Sequence, residues 1–514
     1  MKKTVSILLL IVLFTSLYAA PFRNDSIYSK WAIDSRMGDF RNKKTTQRFL
    51  TPTTSRNASW DYVTGLVAKA ILKAWEQYKS EPWSAYFFTG IENFADNVSM
   101  KLGESNLDDL NAGKIFFELY RGAMEKGQTS KAETYKTKAT TCRNTLKYNH
   151  QRIGANLPGT GGFWHKKQYT NQMWLDGLYM GPALYAEWQG NFGQELGETD
   201  NTESWDDIAL QFDTIFKHTW DVNKKLNYHA WSAEPTNAAS SYWADPVTGC
   251  SQEFWGRGMG WFFAALVDVL EFMPDSHPAK QRLIAYTNAV ADGLKARQDP
   301  TSGCWYQLLQ YDGTKKGTTC QVSNYLESSA SCMITYAYLK GMRLGILDKN
   351  VYRQMAEKAY KGIIDQFVVE ESDGKIKLIQ SCESAGLSST RKGDANYYLC
   401  GSDVEINNDT EGKVLGPFIM ASLEYERSRQ TYTLMKNVQF TQPHCIIKKY
   451  GDTVEISSTQ QPVQSVCVFD CLGNEKFYWN GKETDQINLN LACLPQGIYF
   501  FKINADVVKY LFTK

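Results

Sequence analysis

The sequence has almost no net charge. Its 56 Lys and Arg residues nearly balance 55 Asp and Glu residues, which gives a formal net charge of +1. A protein that holds the phosphate backbone of a nucleic acid needs an excess of basic residues. We therefore expect no nucleic-acid partner, and an anionic ligand would have to be held by individual Arg or Lys side chains.

The sequence also lacks the usual motifs of metal and cofactor sites. Its 11 cysteines form neither a CxxC pair nor a Cys/His zinc pattern. The glycine-rich segment 255–261 leads into a helix without the preceding strand that a phosphate-binding loop requires. We therefore expect no metal and no cofactor. Cys467 and Cys471 bracket a turn and are a candidate disulfide, but the spacing leaves the pairing of the cysteines open.

Long apolar runs are confined to the first 20 residues. Lys2 and Lys3 precede the apolar run 7–14, and two alanines at 19–20 supply small residues near a cleavage point. This order is typical of a secretory signal peptide, and the run is too short to span a bilayer. We expect an exported protein in the periplasm, on the cell surface or outside the cell; an uncleaved N-terminal anchor is the alternative.

Helical periodicity covers most of the remaining chain, which at 514 residues is long enough for two or three domains. From about residue 58 to 430, apolar residues recur at spacings of three and four, as in segment 62–75. The loops between these stretches carry clusters of aromatic and polar residues. The layout predicts an all-α toroid of helix pairs whose loops line a cleft at one end, with another multi-helix fold as the alternative.

The pattern changes after about residue 431. Short alternating runs such as 453–457, 466–469 and 497–503 are separated by turn signals, which predicts a small β-sandwich. The predicted organisation is a signal peptide at 1–20, an N-terminal extension at 21–57, a helical domain at 58–430, a linker at 431–444 and a β-sandwich at 445–514.

Two aromatic and glycine-rich segments, 162–180 and 254–261, combine flat apolar surface with very few ionisable groups. In the first, Asp176 lies among Trp, Leu, Tyr and Met residues. Their burial of the carboxyl group should raise its pKa toward the range of a general acid. The alternative is an ordinary helix N-cap. Because indole faces stack on sugar rings, the pair of segments indicates a site for an acidic carbohydrate.

In the second segment, Arg257 lies between Trp255 and Trp261. Its planar guanidinium suits a carboxylate ligand, and the interleaved glycines would let the backbone approach a ligand closely. The alternative is a structural arginine, stacked on tryptophan and paired with a buried acid. His165, beside Trp164 in a glycine-rich loop, also has a structural alternative as a hydrogen-bonding side chain.

A series of segments in order resembles the unsaturated rhamnogalacturonyl hydrolases of glycoside hydrolase family 105, relatives of the unsaturated glucuronyl hydrolases of family 88. The resemblance covers about residues 58–427 and includes the motif Trp-Gly-Arg-Gly-Met-Gly-Trp. Its segments are 60–66, 107–120, 162–180, 228–231, 243–249, 255–261, 324–330 and 412–418.

This resemblance implies an (α/α)6 barrel and an unusual glycoside chemistry. The implied partner is an acidic oligosaccharide made by a polysaccharide lyase, which ends in a 4,5-unsaturated galacturonyl residue. Such enzymes hydrate the C4=C5 vinyl ether instead of protonating the glycosidic oxygen, and the resulting hemiketal rearranges and expels the next sugar.

The resemblance also implies roles for individual residues. Asp176 is the proton donor that protonates C4 and then activates water for C5. Asp108 is the second carboxylate, with the adjacent Asp109 as the alternative. The implied substrate-binding residues line the pocket of the unsaturated sugar, hold its carboxylate or wall its ring: Tyr62, His165, Lys166, His229, Trp255, Arg257 and Trp261.

Two positions depart from the family pattern. Ser232 and Ala233 follow the His-Ala-Trp motif where an acidic residue is common, and Met259 stands where Asn or Ala is common. Both positions bear on the subsite beyond the unsaturated sugar, and neither removes the implied acid.

The C-terminal segments 466–474, 487–489 and 494–501 resemble the sorting domain of the type IX secretion system of Bacteroidetes. This resemblance implies secretion machinery as a partner. A small β-sandwich accessory or carbohydrate-binding domain is the alternative.

Three other functions are compatible with parts of the pattern. An unsaturated glucuronyl hydrolase acting on glycosaminoglycan fragments would share the same first subsite, although the context of Arg257 favours a pectin-derived substrate. A sugar isomerase or epimerase would share the barrel. A binding protein without activity is disfavoured because both Asp176 and Asp108 are present.

Overall fold

The computed structural model describes residues 22–23, 26–37, 59–436, 445–450, 453–458, 462–470, 475–492, 494, 497–504 and 506–512. The predicted signal peptide and residues 437–444 of the predicted linker lie outside these residues. The chain divides into two units, Met1–Tyr425 and Glu426–Lys514, and each is described by itself.

The described part of the chain is mainly helical up to residue 436. Its α-helices, in chain order, are α1 (Tyr28–Met37), α2 (Tyr62–Gln77), α3 (Ala85–Asn97), α4 (Leu107–Asn111), α5 (Ile115–Glu125), α6 (Thr129–Asn144), α7 (Leu175–Met180), α8 (Pro182–Phe192), α9 (Glu198–Thr219), α10 (Gly256–Phe272), α11 (Lys280–Lys295), α12 (Ser328–Arg343), α13 (Lys349–Phe367), α14 (Ala395–Cys400) and α15 (Gly412–Lys436).

Short strands lie in the connections between these helices and pair as antiparallel two-stranded sheets, β1 with β4, β2 with β3, β5 with β6 and β7 with β8. They are β1 (Gln172–Trp174), β2 (Trp220–Asp221), β3 (Leu226–Asn227), β4 (Ala230–Ser232), β5 (Val368–Glu370), β6 (Ile376–Leu378), β7 (Ser381–Cys382) and β8 (Ile406–Asn407).

Almost fully buried helices alternate along the chain with helices that bury one face. In α10, 14 of 17 residues are buried, whereas in the following helix, α11, only 6 of 16 are buried. The inner ring is formed by α2, α5, α8, α10, α12 and α15, and the longer helices between them, α3, α6, α9, α11 and α13, lie outside it. This confirms the predicted (α/α)6 barrel, and the outer helices bury one face because their apolar residues recur every three or four positions.

Helix α1 belongs to the barrel unit, although it lies in the predicted N-terminal extension. Tyr28 packs edge-on against Tyr360 of α13, with ring centroids 6.4 Å apart. The guanidinium of Arg36 donates to the carbonyl of Ile376, at 2.6 Å. Half of the ten residues of α1 are apolar, but they are not confined to one face of the helix, so periodicity gave no signal there.

A buried ion network joins three inner helices. Lys69 of α2 lies between Glu118 of α5 and Glu187 of α8, with its Nζ 2.7 and 2.6 Å from their carboxylate oxygens. Burial raises the pKa of Glu118, but Lys69 and other cations beside it more than offset that effect, so the pKa lies below its usual range. Lys69 is therefore buried together with two carboxylates that balance its charge.

One disulfide joins distant parts of the barrel unit. Cys320, in the connection between α11 and α12, is bonded to Cys400 at the end of α14, across 80 positions. Cys471 lies outside the described residues, so a bond between Cys467 and Cys471 stays a prediction.

The second unit contains two antiparallel sheets with strand orders β13-β10-β9 and β12-β11-β14-β15. Alternate residues of both sheets, including Val454, Ile487, Val466 and Phe501, meet in one buried apolar cluster. This confirms the predicted β-sandwich. Its strands are β9 (Cys445–Tyr450), β10 (Thr453–Ser458), β11 (Val463–Asp470), β12 (Glu475–Thr484), β13 (Gln486–Asn490), β14 (Gly497–Ile503) and β15 (Asp506–Phe512).

Within the described ranges, we find no helix with the length and apolar character needed to cross a membrane.

Loss of the Cys320–Cys400 disulfide should destabilise the barrel unit. A bond that closes a loop of this length lowers the entropy of the unfolded chain and contributes about 2–4 kcal/mol. We expect the double variant Cys320→Ser/Cys400→Ser to unfold at a lower urea concentration than the oxidised wild type, measured by the decrease in helical circular dichroism. Equal unfolding midpoints would show that the bond does not stabilise the unit.

Candidate active site

A short backbone pairing brings Asp176 beside His229. Strands β1 and β4 align so that Trp174 is opposite Ala230. The backbone N–H of Leu175 then donates to the carbonyl of His229, at 3.0 Å. Asp176 lies in the first turn of α7, and its Oδ2 is 3.1 Å from Nε2 of His229. The segments around β1 and β4 therefore bring the two residues together, although 53 positions of the chain separate them.

The expected rise in the pKa of Asp176 is wrong. Burial does raise the pKa, because the side chain is only 15% exposed. The His229 imidazole, through its charge and its hydrogen bond, and the charge of His165 more than offset that effect, so the pKa lies below its usual range. The free protein therefore holds Asp176 as a carboxylate at neutral pH. The N-cap position of α7 is occupied by Trp174.

A second group forms around Asp108. The backbone N–H of Leu107 donates to the carbonyl of His165, at 3.1 Å, which aligns the start of α4 with the loop before β1. The carboxylate of Asp108 lies 2.5 Å from Nζ of Lys166 and 3.8 Å from Nε2 of His165. Asp109 points elsewhere, and its Oδ2 accepts from the backbone N–H of Gly103 at 2.9 Å. The structure thus places Asp108, and not Asp109, beside Lys166 and His165.

His165 lies between the two carboxylates and is almost fully buried. Its ring stacks on Trp174, with centroids 4.8 Å apart and planes 5° apart. Burial lowers the pKa of the imidazole to about 4, so the ring is neutral at neutral pH. Among the described residues its Nδ1 has no hydrogen-bond partner. The structural alternative accounts for its stacking, but not for the unpaired nitrogen.

Arg257 is held by protein groups in the free protein. It lies in the first turn of α10 and is 2% exposed. Its Nε donates to Oγ of Ser329 at 2.7 Å, its Nη2 donates to the carbonyl of Cys382, and Glu327 lies 3.6 Å away. Burial disfavours the charge, but the carboxylate of Glu327 opposes this effect and the pKa of Arg257 is raised. These contacts match the structural alternative.

Tyr62 lies near several of these charges. It is the first residue of α2 and is half-buried. Burial raises the pKa of its phenol, and the carboxylates of Asp108 and Asp176 raise it further, whereas Arg257 opposes the shift. Tyr62 is therefore close enough to interact electrostatically with both carboxylates and with the arginine.

The two predicted tryptophans contact different parts of the protein. Trp255 donates through Nε1 to Oε1 of Gln307 at 3.1 Å, and its ring centroid is 4.6 Å from that of His229. Trp261, more than one turn further along α10, packs 4.6 Å from Tyr179. Both indoles are 2% exposed. Trp255 thus supports His229, while Trp261 lies in the apolar core.

The glycines of the second segment allow close packing within the protein. A Cβ on Gly256 would come within 2.8 Å of the carbonyl oxygen of Tyr306, and one on Gly258 would come within 3.3 Å of the ring of His229. We expected a ligand to approach these two glycines. Neighbouring segments of the protein occupy that space instead.

Two residues of this region carried no role in the sequence analysis. Glu327 pairs with Arg257. A buried arginine needs an acidic partner, and this general requirement could have indicated that a nearby acid pairs with Arg257. Tyr398 of α14 lies with its hydroxyl 2.6 Å from Nδ1 of His229. It is 169 positions from the histidine, and no spacing pattern connects the two.

The arrangement is suited to proton transfer next to an anionic ligand. Asp176 and His229 form one acid–base pair, and Asp108 is held by Lys166 a short distance away. Lys166 is 29% exposed and is therefore more accessible than Arg257. In the described parts of the chain, no three His, Cys, Asp or Glu side chains are grouped so that they could hold a metal ion.

Known proteins share this combination of fold and sequence. The profile of Glycosyl Hydrolase Family 88 matches residues 30–429, a range that begins within α1 and contains every predicted site residue. The chain is also similar to a solved glycoside hydrolase of family 105 from C. acetobutylicum, with 36% identity and a TM-score of 0.65 over 78% of this chain and 100% of that one.

Two characterised relatives are more distant. The chain is 21% identical to an unsaturated rhamnogalacturonyl hydrolase of Bacillus subtilis over 65% of this chain and 83% of the relative. It is 26% identical to an unsaturated 3S-rhamnoglycuronyl hydrolase of an Alteromonas species over 40% of this chain and 43% of the relative.

The protein should lose stability in acid partly because His165 is buried in its neutral form. The folded-state pKa is about 4, whereas the unfolded value is 6.5. Between these values the unfolded state binds a proton that the folded state does not, so stability falls as the pH falls from 6.5 toward 4. His165 alone should account for roughly 2–3 kcal/mol by about pH 4.5.

Urea unfolding of wild type and His165→Gln at pH 7 and near pH 4.5 measures this contribution. The variant cannot protonate at this position, so its unfolding free energy should fall less between the two pH values. An identical decrease in both proteins would assign the acid sensitivity to other groups.

Proposed function

The chain belongs to Glycosyl Hydrolase Family 88, and we propose that it removes 4,5-unsaturated galacturonyl residues from lyase-generated rhamnogalacturonan oligosaccharides. The observation that carries the proposal is the Asp176–His229 pair beside the Lys166–Asp108 pair. Two similarities support the substrate class: the family 105 enzyme at 36% identity, and the relative named as an unsaturated rhamnogalacturonyl hydrolase.

The proposed reaction begins with proton transfer to carbon. Asp176 gives its proton to C4 of the unsaturated sugar, and the ring oxygen stabilises the positive charge that develops at C5. Water then adds to C5, and its proton passes to the carboxylate of Asp176. The resulting hemiketal opens, the bond from C1 to the glycosidic oxygen breaks, and the next sugar leaves.

The low pKa of Asp176 in the free protein fits the acid half of this cycle. Protonation of carbon needs a strong acid, and an acid whose conjugate base is stabilised by His229 is stronger than an ordinary carboxyl. The proton must be present when the substrate is bound. A uronate carboxylate and the exclusion of water both raise the pKa of a neighbouring acid, which favours the protonated form in the complex.

Lys166 is the cation best placed to receive the uronate carboxylate. Its Nζ is charged, because Asp108 raises its pKa against the opposing effect of burial, and its side chain is partly exposed. Arg257 is already bonded to Ser329 and to a carbonyl. We therefore propose that Lys166 binds the carboxylate directly, with Arg257 adding positive potential from beneath the pocket.

The remaining predicted residues form the walls in this proposal. Tyr62 lies near both carboxylates, and His165 lies beside Asp108 and stacks on Trp174. Trp255 packs behind His229. Trp261 supports the pocket through the core instead of stacking on the sugar.

Export is part of the proposal but rests on the sequence alone. The signal-peptide pattern at 1–20 and the sorting-domain resemblance of the C-terminal unit support release from the cytoplasm through a secretion system. A cell fractionation of the native host, with and without the last strand β15, tests both ideas. Retention of the full-length chain in the cytoplasm would contradict them.

The protein should destroy the ultraviolet chromophore of unsaturated rhamnogalacturonan disaccharides, because hydration removes the conjugated double bond. Substitution Asp176→Asn should lower kcat by about 10²- to 10⁴-fold, the usual contribution of a general acid. Absorbance decay over time measures both effects.

The outcomes separate the alternatives. Decay with glycosaminoglycan-derived disaccharides alone would assign glucuronyl specificity. Unchanged absorbance with every unsaturated disaccharide would contradict the hydrolase function and leave an isomerase, an epimerase or a binding protein. Decay that is undiminished in Asp176→Asn would reject only the role of Asp176.

Paired substitutions distinguish the two adjacent acids. Asp108→Asn should lower kcat/KM by more than about 10-fold, because it removes a carboxylate that faces Lys166. Asp109→Asn should retain activity and lose on the order of 1 kcal/mol of stability, because it weakens the hydrogen bonds of this side chain with Gly103 and Asn106. Loss of activity in Asp109→Asn and not in Asp108→Asn would exchange the two roles.

A further inference from the structure

We propose that Tyr398 is a positioning residue that fixes the tautomer of His229 and thereby orients Asp176 for proton transfer. The inference rests on the proposed function, since the proton transfer belongs to that reaction. The inference concerns three hydrogen-bonded side chains from separate parts of the barrel unit. Tyr398 lies in α14, His229 directly precedes β4, and Asp176 lies in α7.

The chain of contacts is continuous. The hydroxyl of Tyr398 is 2.6 Å from Nδ1 of His229, and Nε2 of the same ring is 3.1 Å from Oδ2 of Asp176. His229 and Tyr398 are both fully buried, and Asp176 is 15% exposed. A substrate can therefore reach this hydrogen-bonded chain at Asp176, whereas Tyr398 forms its buried end.

Proton placement follows from the chemistry of the groups. Burial raises the pKa of Tyr398 well above its usual value, so the phenol keeps its proton. A phenol that donates to Nδ1 leaves the neutral imidazole with its hydrogen on Nε2. That hydrogen is then donated to the carboxylate of Asp176, whose Oδ2 lies 3.1 Å from Nε2.

Several contacts fix the position of Tyr398. Its ring lies 6.0 Å from that of Trp255, at 28° between planes. Its carbonyl accepts from Nε2 of Gln307 at 3.3 Å. Two residues later, Cys400 is bonded to Cys320. The disulfide therefore anchors the short helix that carries the hydroxyl.

Several titratable groups among the described residues act on the chain. Tyr62 acts on Asp176, and burial raises the pKa of its phenol. His165 interacts electrostatically with Asp176 and His229, and burial holds its pKa near 4. Glu253, on the segment before α10, acts on Tyr398, and burial raises its own pKa to about 7. Tyr397 and Cys382 act on Tyr398 as well. Of these groups, Glu253 titrates in the range of an activity profile and needs its own control.

Removal of the hydroxyl should change the acid–base behaviour of the pair. In Tyr398→Phe, His229 can place its hydrogen on Nδ1, and the free Nε2 then accepts from protonated Asp176. That arrangement raises the pKa of Asp176 and makes it a weaker acid toward carbon. We expect kcat to fall by roughly 10- to 100-fold, KM to change little, and the high-pH limb of the kcat profile to move to higher pH.

Two matched variants isolate this effect. Tyr397→Phe removes a buried hydroxyl of the same helix that bonds to Gly386 and Asp403 instead of His229. It should leave the high-pH limb in place, whatever its effect on stability. Glu253→Gln removes the other group that titrates near neutrality, and Tyr398→Phe should move the limb equally in this background.

The tautomer itself can be measured without any substrate. The chain contains six histidines, so nitrogen-15 labelling of histidine gives a small set of ring signals, and His229→Gln assigns the relevant pair. We expect a protonated Nε2 and an unprotonated Nδ1 for His229 in wild type, and loss of this preference in Tyr398→Phe. An unchanged tautomer with an unmoved high-pH limb would overturn the inference. Failure of the proposed function would appear separately, as wild-type protein that destroys no chromophore while retaining the tautomer.

Discussion

An ionised side chain inside a helical barrel must be paired, because removal of a charge from water costs more than burial of its apolar neighbours returns. This requirement accounts for much of the interior of the protein. Lys69 is enclosed by two glutamates, and Arg257 by Ser329, Glu327 and a carbonyl. Asp176 is paired with His229 under the same rule. Unlike the other two groups, this pair includes a partly exposed side chain, that of Asp176. The contact that stabilises its buried charge therefore also lowers the pKa of a carboxyl group that a ligand can reach.

The groups of the site are placed by short backbone pairings at one end of the barrel. Strands β1 and β4 contain only three residues each, yet their register fixes the distance between a carboxylate and an imidazole. A single backbone bond from Leu107 to His165 has the same role for Asp108 and Lys166. The helices supply a rigid ring, and the connections supply the chemistry, as expected where function is carried by loops on a stable scaffold.

The sequence predicted the barrel, the β-sandwich and the residues that meet around Asp176, because periodicity and ordered motifs are local properties of the chain. It did not predict the sign of the pKa shift of Asp176, since burial was visible in the neighbouring apolar residues and the His229 hydrogen bond was not. It assigned the glycines around Arg257 to a ligand, although Tyr306 and His229 occupy that space. Tyr398 and Cys320–Cys400 were missed because long-range partners leave no spacing signal.

Helix α1 has a consequence for the order in which the ring can form. The indole of Trp31 donates to the carbonyl of Gly374, and these residues are 343 positions apart. A contact of such sequence separation carries a large loop-closure cost and forms late. During synthesis, α1 therefore cannot form this contact until nearly the whole unit has left the ribosome. Until then, the apolar residues of α1 lack the partners that they have in the folded unit, and transiently exposed apolar surface of this kind is what chaperones bind.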